Sequence, residues 1–213
     1  MTSSKRRAQV FAALGDELRL KIVEELVWSD RTPGELIEKF EIRSALLAHH
    51  LDVLELAGLI GRTESHADGR KRFVKLTKNN NDLISTANKI NQVVFVCRQN
   101  SARSQIAAAI WRSVTGENVA SAGTEPALKL HPLTIKIAEQ HRLNLSNARP
   151  RDLESLKMKG KTVITVCDQS HDDLANPLSR LHWSMPDPAE LGTMAAFEKT
   201  FQELVERIQP LVK

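Results

Sequence analysis

The chain has 213 residues with 30 Lys or Arg against 26 Asp or Glu, a formal charge of +4 and a pI near 9.2, a length that suits two small domains, each able to bury a core. The charges are mixed in sign along the chain, so a polyanionic partner is permitted but not required, and the two cysteines, Cys97 and Cys167, are too far apart for a disulfide scaffold or a cysteine zinc site, so no metal is expected. No apolar run is long enough for a membrane span or the core of a signal peptide, which leaves a cytoplasmic, reducing compartment as the expectation.

Over residues 8–27, Val10, Phe11, Leu14, Leu18, Ile22, Val23 and Leu26 recur at helical spacing, and Gly15-Asp16 breaks the run into two helices. Thr32-Pro33-Gly34-Glu35 supplies an N-cap, Pro at the first helical position and an acidic first turn for a third helix. Ser44 is expected to cap a fourth, running through Leu47, His50, Leu51, Leu54 and Leu56 to a stop at Ala57-Gly58. Of the adjacent His49 and His50, one packs inward, and the apolar spacing selects His50 as a core histidine. Residues 59–64 and 72–76 read as strands, with Asp68-Gly69 marking the turn between them. Helices followed by such a hairpin make a winged helix-turn-helix, in which the second short helix enters the major groove of double-stranded DNA and the wing meets phosphates.

Phe11-Ala12-Ala13-Leu14-Gly15-Asp16-Glu17-Leu18-Arg19 and His49-His50-Leu51, followed by Leu54 and Ala57-Gly58-Leu59-Ile60, resemble the second helix and the recognition helix of the ArsR-type repressor family. The resemblance covers residues 8–77 and implies a DNA-binding homodimer formed through this half. Arg43, Ser44 and His49 are then the candidate base readers, and Arg70, Lys71 and Arg72 of the wing the phosphate contacts. Two departures matter. This half has no cysteine, which argues against direct arsenite binding, and Ala45, Leu46, Leu47 and Ala48 stand where small polar base readers are usual. A winged helix kept only for dimerisation is the alternative. After a polar break at residues 78–82, Leu83, Ile84, Ala87 and Ile90 sketch a short helix that the resemblance casts as the dimer helix. The expected boundary separates a DNA-binding and dimerisation domain, residues 1–90, from a second domain, residues 91–213.

Val93-Val94-Phe95-Val96 reads as a buried strand ending at Cys97, and Arg103-Ser104 opens a helix carrying Ile106, Ala109, Ile110 and Val114 on one face. A strand-loop-helix turn aims backbone N–H groups and the positive end of the helix dipole at the space above the loop, which is therefore an anion site. A cysteine at its base has its thiolate stabilised by those N–H groups, the Ser104 hydroxyl and the Arg103 guanidinium. The spacing Cys-x5-Arg lets Arg103 grip two oxygens of a tetrahedral oxyanion while the sulfur attacks its central atom.

The run Val96-Cys97-Arg98-Gln99-Asn100-Ser101-Ala102-Arg103-Ser104-Gln105 resembles the phosphate loop of the low-molecular-weight protein tyrosine phosphatase fold, in its arsenate reductase branch. The resemblance implies a nucleophilic Cys97, an oxyanion-gripping Arg103, an Asn100 that holds strained backbone and a Ser104 bonded to the thiolate. Arg98, Gln99, Asn100, Ser101, Ala102 and Ser104 then line the oxyanion cradle. Gln99 stands where the family usually has Gly, which puts the loop's conformation in question.

Downstream, residues 119–124 read as a second strand, with Ser121-Ala122-Gly123-Thr124 also matching the phosphatase fold. His131-Pro132 opens a helix, residues 161–168 form a third strand ending near Cys167, and the tail from residue 195 is helical. Alternating strands and helices predict an α/β domain with a parallel sheet whose site lies beyond the strands' carboxyl ends, where Cys97 and Cys167 both fall. Asp187-Pro188 places a carboxylic acid on a stiffened loop, and the resemblance makes Asp187 the general acid; His182-Trp183 ahead of it favours the arsenate reductases over the phosphatases.

Arsenate reduction also needs two electrons from thiols. Thioredoxin-coupled relatives carry a second cysteine seven residues after the equivalent of Cys167, where this chain has Leu174. A self-contained three-cysteine relay is thereby excluded. No bound cofactor is expected. The reductant is either an external thiol system (thioredoxin, glutathione or mycothiol) or Cys167 as sole resolving thiol, and the latter is equally readable as a buried strand-end residue. Three functions stay open: a thiol-dependent arsenate reductase fused to an arsenic-responsive regulator, a regulator that only senses arsenate or phosphate, and a protein tyrosine phosphatase.

Overall fold

The computed structural model describes residues 3–77, 90 and 92–212, and the chain divides into two compact units, Met1–Thr86 and Ala87–Lys213. The predicted helix at residues 83–90 lies, apart from Ile90, outside the described residues. Among them, no helix is long and apolar enough to cross a membrane.

The first unit runs α1 (Ser3–Leu14), α2 (Glu17–Trp28), α3 (Pro33–Phe40), α4 (Ser44–Leu56), β1 (Ile60–Glu64) and β2 (Arg72–Leu76). Asp16 caps α2 by accepting from Arg19 N, and Thr32 with Glu35 closes a reciprocal capping box on α3. The capping position of α4 is Arg43 rather than Ser44, and it has no side-chain cap, because a guanidinium carries only donors. Ile22, Val23, Leu26, Leu36, Leu47, Leu51, Leu54 and Leu59 close one core, whereas Phe11 and Leu56, read on the same helical spacings, face outward and are exposed. β1 and β2 pair antiparallel from Ile60↔Leu76 to Glu64↔Arg72. The turn between them is longer than the two-residue type that Asp68-Gly69 signals, since Ser65 N reaches Lys71 O at 2.9 Å.

The second unit contains β3 (Val93–Cys97), α5 (Arg103–Thr115), β4 (Ala120–Gly123), α6 (Pro132–Gln140), β5 (Thr162–Thr165), α7 (Asp168–Asp173), β6 (Leu181–His182), α8 (Pro188–Leu191) and α9 (Met194–Ile208). The four strands form a parallel sheet in the order β4-β3-β5-β6. All five residues of β3 are buried, and because successive side chains point to opposite faces, both faces of the sheet are covered there. α5 packs on α9 and β3, and Phe95 meets Trp111 edge-on and Trp183 at a tilt, each with ring centroids 5.9 Å apart. Val114, predicted on the inner face of α5, is 53% exposed: the helix has already left the sheet at its last turn. β6 was not apparent in the sequence because two residues are too short to show any period.

Candidate active site

The loop from Cys97 to Arg103 joins the carboxyl end of β3 to the first turn of α5. Cys97 Sγ lies 3.0 Å from Ser104 Oγ and accepts the Asn100 N–H at 3.2 Å. Asn100 sits at φ 49°, in the left-handed region that Asn tolerates better than most residues. Its side chain is wholly buried and bonded at both ends: Nδ2 donates to Ser104 Oγ at 2.7 Å, while Oδ1 accepts from Gln105 Nε2 and from Arg151 N, each at 3.0 Å. With its N–H on Cys97 Sγ and its carbonyl accepting from Gln105 Nε2 at 3.1 Å, five bonds hold the strained residue against relaxation. Gln99 has no positive φ, so the position where the family usually has Gly does not require it here. Among the described residues, the backbone N–H groups of Gln99, Ser101, Ala102, Arg103 and Ser104 make no hydrogen bond, which leaves five donors for an anion.

Arg98 departs from its predicted place. Its guanidinium pairs with Glu125 at 2.7 Å, and its N–H donates to Cys167 Sγ at 3.1 Å, so neither group is turned into the cradle. Gly123 lies against the same segment: a Cβ there would stand 2.6 Å from Arg98 O and 3.1 Å from Asn100 Cβ.

Arg103 and Asp187, 84 positions apart, are joined at 2.5 Å by an ion pair, and Arg103 Nη1 also donates to Met185 O at 2.9 Å. Asp187 Oδ1 accepts from Ala189 N at 3.0 Å as the cap of α8. The guanidinium that was expected to reach the Cys97 thiolate is therefore occupied by the carboxylate of the predicted acid. Cys167 is buried beside the loop, its sulfur 3.1 Å from Ser170 Oγ. Burial pushes this thiol's pKa up, an effect the Arg103 charge opposes and the nearby Cys97 reinforces. Behind it, buried Asp168 pairs with His182 Nε2 and Ser184 Oγ, each at 3.1 Å.

Sequence reasoning had not singled out Gln105, Arg151, Met185 or Gly123 for the loop. Gln105 and Gly123 lie in quoted motifs, and the others act through backbone atoms that leave no side-chain signal. In the first unit, Arg43, Ser44 and His49 are exposed while His50 is buried, its Nδ1 3.7 Å from Asp16 Oδ1. Arg70, Lys71 and Arg72 are exposed on the wing, where Arg70 pairs with Asp68 at 3.0 Å and Arg72 with Glu64 at 3.3 Å.

Residues 16–61 match the family described as bacterial regulatory protein, arsR family, and residues 92–213 match low molecular weight phosphotyrosine protein phosphatase. "Arsenate reductase 2" of Bacillus cereus (strain ATCC 10987 / NRS 248) is 31% identical over 125 residues, which span 55% of this chain and 90% of that protein. Among solved structures, an arsenate reductase in the phosphate-binding state gives a TM-score of 0.52 at 23% identity, over 58% of this chain and 97% of its own. A tyrosine phosphatase from Erwinia amylovora gives 0.51 at 20% identity, over 60% and 94%. These two share the fold of the second unit. With more than half of its length matched, the chain belongs to the low molecular weight phosphotyrosine protein phosphatase family and carries an arsR-family helix-turn-helix ahead of that domain.

Proposed function

We propose that this protein is a thiol-dependent arsenate reductase joined to a DNA-binding regulator of the arsenic response, with the boundary between the two domains at residues 90/91. The observation that carries the reading is the Cys97 sulfur, bonded by Ser104 and Asn100 N–H at the base of a loop with five free amides and faced by the Arg103–Asp187 pair. An arsenate entering the loop takes those amides and competes with Asp187 for Arg103, which frees the carboxyl to face the departing oxygen. Asp187, parted from Arg103, takes up a proton from the incoming dihydrogen arsenate; the Cys97 thiolate then forms the S–As bond as an arsenate hydroxyl leaves as water, carrying that proton from Asp187. A second thiol then attacks Cys97 Sγ. The S–As pair passes to arsenic, which is released as arsenite, two electrons richer, while the two sulfurs form a disulfide that further thiol reduces.

The raised pKa of buried Cys167 favours an external thiol for the second attack, since the thiolate is the nucleophile. Thioredoxin, glutathione-type and mycothiol-type donors are to be compared in an arsenite-release assay. Release with at least one donor, abolished by Cys97→Ser, is expected; equal release by wild type and variant overturns the enzyme.

A second reading, a regulator that senses an oxyanion without turnover, is favoured by the absence of a third cysteine from the sequence. In both readings α4 enters the major groove of double-stranded DNA, Arg43, Ser44 and His49 face the bases, the Arg70, Lys71 and Arg72 wing follows the phosphates, and two chains pair through the N-terminal domain. Arsenate or phosphate that shifts promoter affinity in a protein without measurable turnover selects the sensor. Hydrolysis of aryl phosphates faster than arsenite release selects the phosphatase.

A further inference from the structure

Outside the Cys97 loop, the second unit contains a cleft of about 680 Å3 bounded by α5, the start of β4 and residues 142–151. That volume lies within the range of small-ligand sites. Its lining includes Arg112, Arg142, Arg149, Arg151 and Lys161, and among the described residues none of these forms an ion pair. No carboxylate and no aromatic ring lines the cleft. Arg112 is half-buried and donates to the Val119 carbonyl at 3.2 Å. Its burial and the neighbouring Arg151 charge both push its pKa below the ordinary arginine value.

Five like charges around one concavity repel one another, and a monoanion offsets only part of that repulsion. Small polar groups on the walls, among them Ser113, Ser121 and Asn144, suit phosphate oxygens. The absence of any ring to stack on argues against a nucleobase. We propose that this cleft is a second anion site, separate from the Cys97 loop, which takes a small, multiply charged anion of the polyphosphate class. The two sites share one wall residue: Gln105 lines the cleft and bonds Asn100 of the loop through Nε2.

The test is calorimetric titration of the full chain with tripolyphosphate at low salt. Beside any binding at the Cys97 loop, one site per chain is expected to persist within about twofold in Arg103→Ala, which strips the loop of its guanidinium. The double variant Arg112→Gln/Arg151→Gln should lose at least about tenfold in affinity, as expected when charge-assisted bonds to phosphate are removed. If that variant does not fold by circular dichroism, Arg142→Gln/Lys161→Gln at the same cleft replaces it. A control with the same change of charge, Lys136→Gln/Lys199→Gln, uses exposed lysines outside the cleft and should stay within about twofold. Loss in Arg103→Ala assigns binding to the loop, equal loss in the control reduces it to general attraction, and no binding to wild type removes the site. Each of these overturns the proposal, as does a cleft variant that weakens duplex DNA binding while leaving tripolyphosphate affinity unchanged.

Discussion

Ser104 is placed to do two jobs with one hydroxyl. Its oxygen accepts Asn100 Nδ2 at 2.7 Å, so its proton is free for Cys97 Sγ at 3.0 Å. A hydrogen bond to a charged group contributes about 1.5–3 kcal/mol. Ser104→Ala should therefore lower kcat for arsenite release by roughly 10- to 100-fold, and leaving buried Asn100 Nδ2 without its acceptor should lower stability by about 1–3 kcal/mol. Steady-state kinetics beside a thermal melt separate the two effects. Cys167 offers a test of opposite chemistry. Burial raises its pKa above the ordinary 9.0, so the folded chain keeps the proton at a pH where the unfolded chain has lost it. The unfolded state then binds fewer protons, and stability falls as pH rises from 9.0 toward the folded value. Melting temperature should decline across that window, and Cys167→Ala should flatten the decline.

At the scale of elements, β4 acts on the Cys97 loop through a side chain it lacks. A methyl on Gly123 meets the Arg98 carbonyl at 2.6 Å and Asn100 at 3.1–3.2 Å, and backbone atoms do not step aside as a flexible side chain does. Gly123→Ala should displace the loop, weaken phosphate binding at least tenfold and lower stability by about 1–3 kcal/mol, the usual range for overpacking. Gly69→Ala, with nothing within 4 Å of the new methyl, is the control. An unchanged phosphate affinity in Gly123→Ala means that the loop does not need this close approach.

Local signals were readable where chemistry and geometry sit within a few positions. The Thr32–Glu35 box and the all-apolar β3 each describe one turn or one strand, and each element lies where its pattern put it. What stayed hidden joins distant positions or uses the main chain. Gln105 reaches the Arg149 carbonyl, Arg103 reaches the Met185 carbonyl, and Arg98 gives its N–H to Cys167, 69 positions away. Such pairs depend on how strands order in the sheet, which periodicity does not encode. The cleft of cations is of the same kind, since its charges come from one helix, one strand start and one loop that look unremarkable in sequence.

For the molecule as a whole, the proposed function turns on whether the Cys97 loop and the helix-turn-helix of one chain are coupled. Whatever loop occupancy does to operator affinity, operator binding must do to oxyanion affinity by the same factor, because binding free energies are reciprocal. A regulatory role thus has a two-sided signature that a mere fusion of independent domains lacks. Operator affinity is to be measured over a range of salt with and without arsenate, and arsenate affinity with and without operator. The two ratios are expected to agree, at about 5- to 150-fold for an ordinary coupling of 1–3 kcal/mol. Cys97→Ser, which keeps Arg103 and the loop amides, should bind arsenate and retain the coupling, while Arg103→Ala should lose both. Arg70→Ala and Lys71→Ala on the wing should each reduce the slope of log affinity against log salt by about one phosphate contact, leaving the arsenate ratio unchanged. Ratios of one on both sides, with DNA binding intact, make the two domains independent and leave arsenic regulation to some other route.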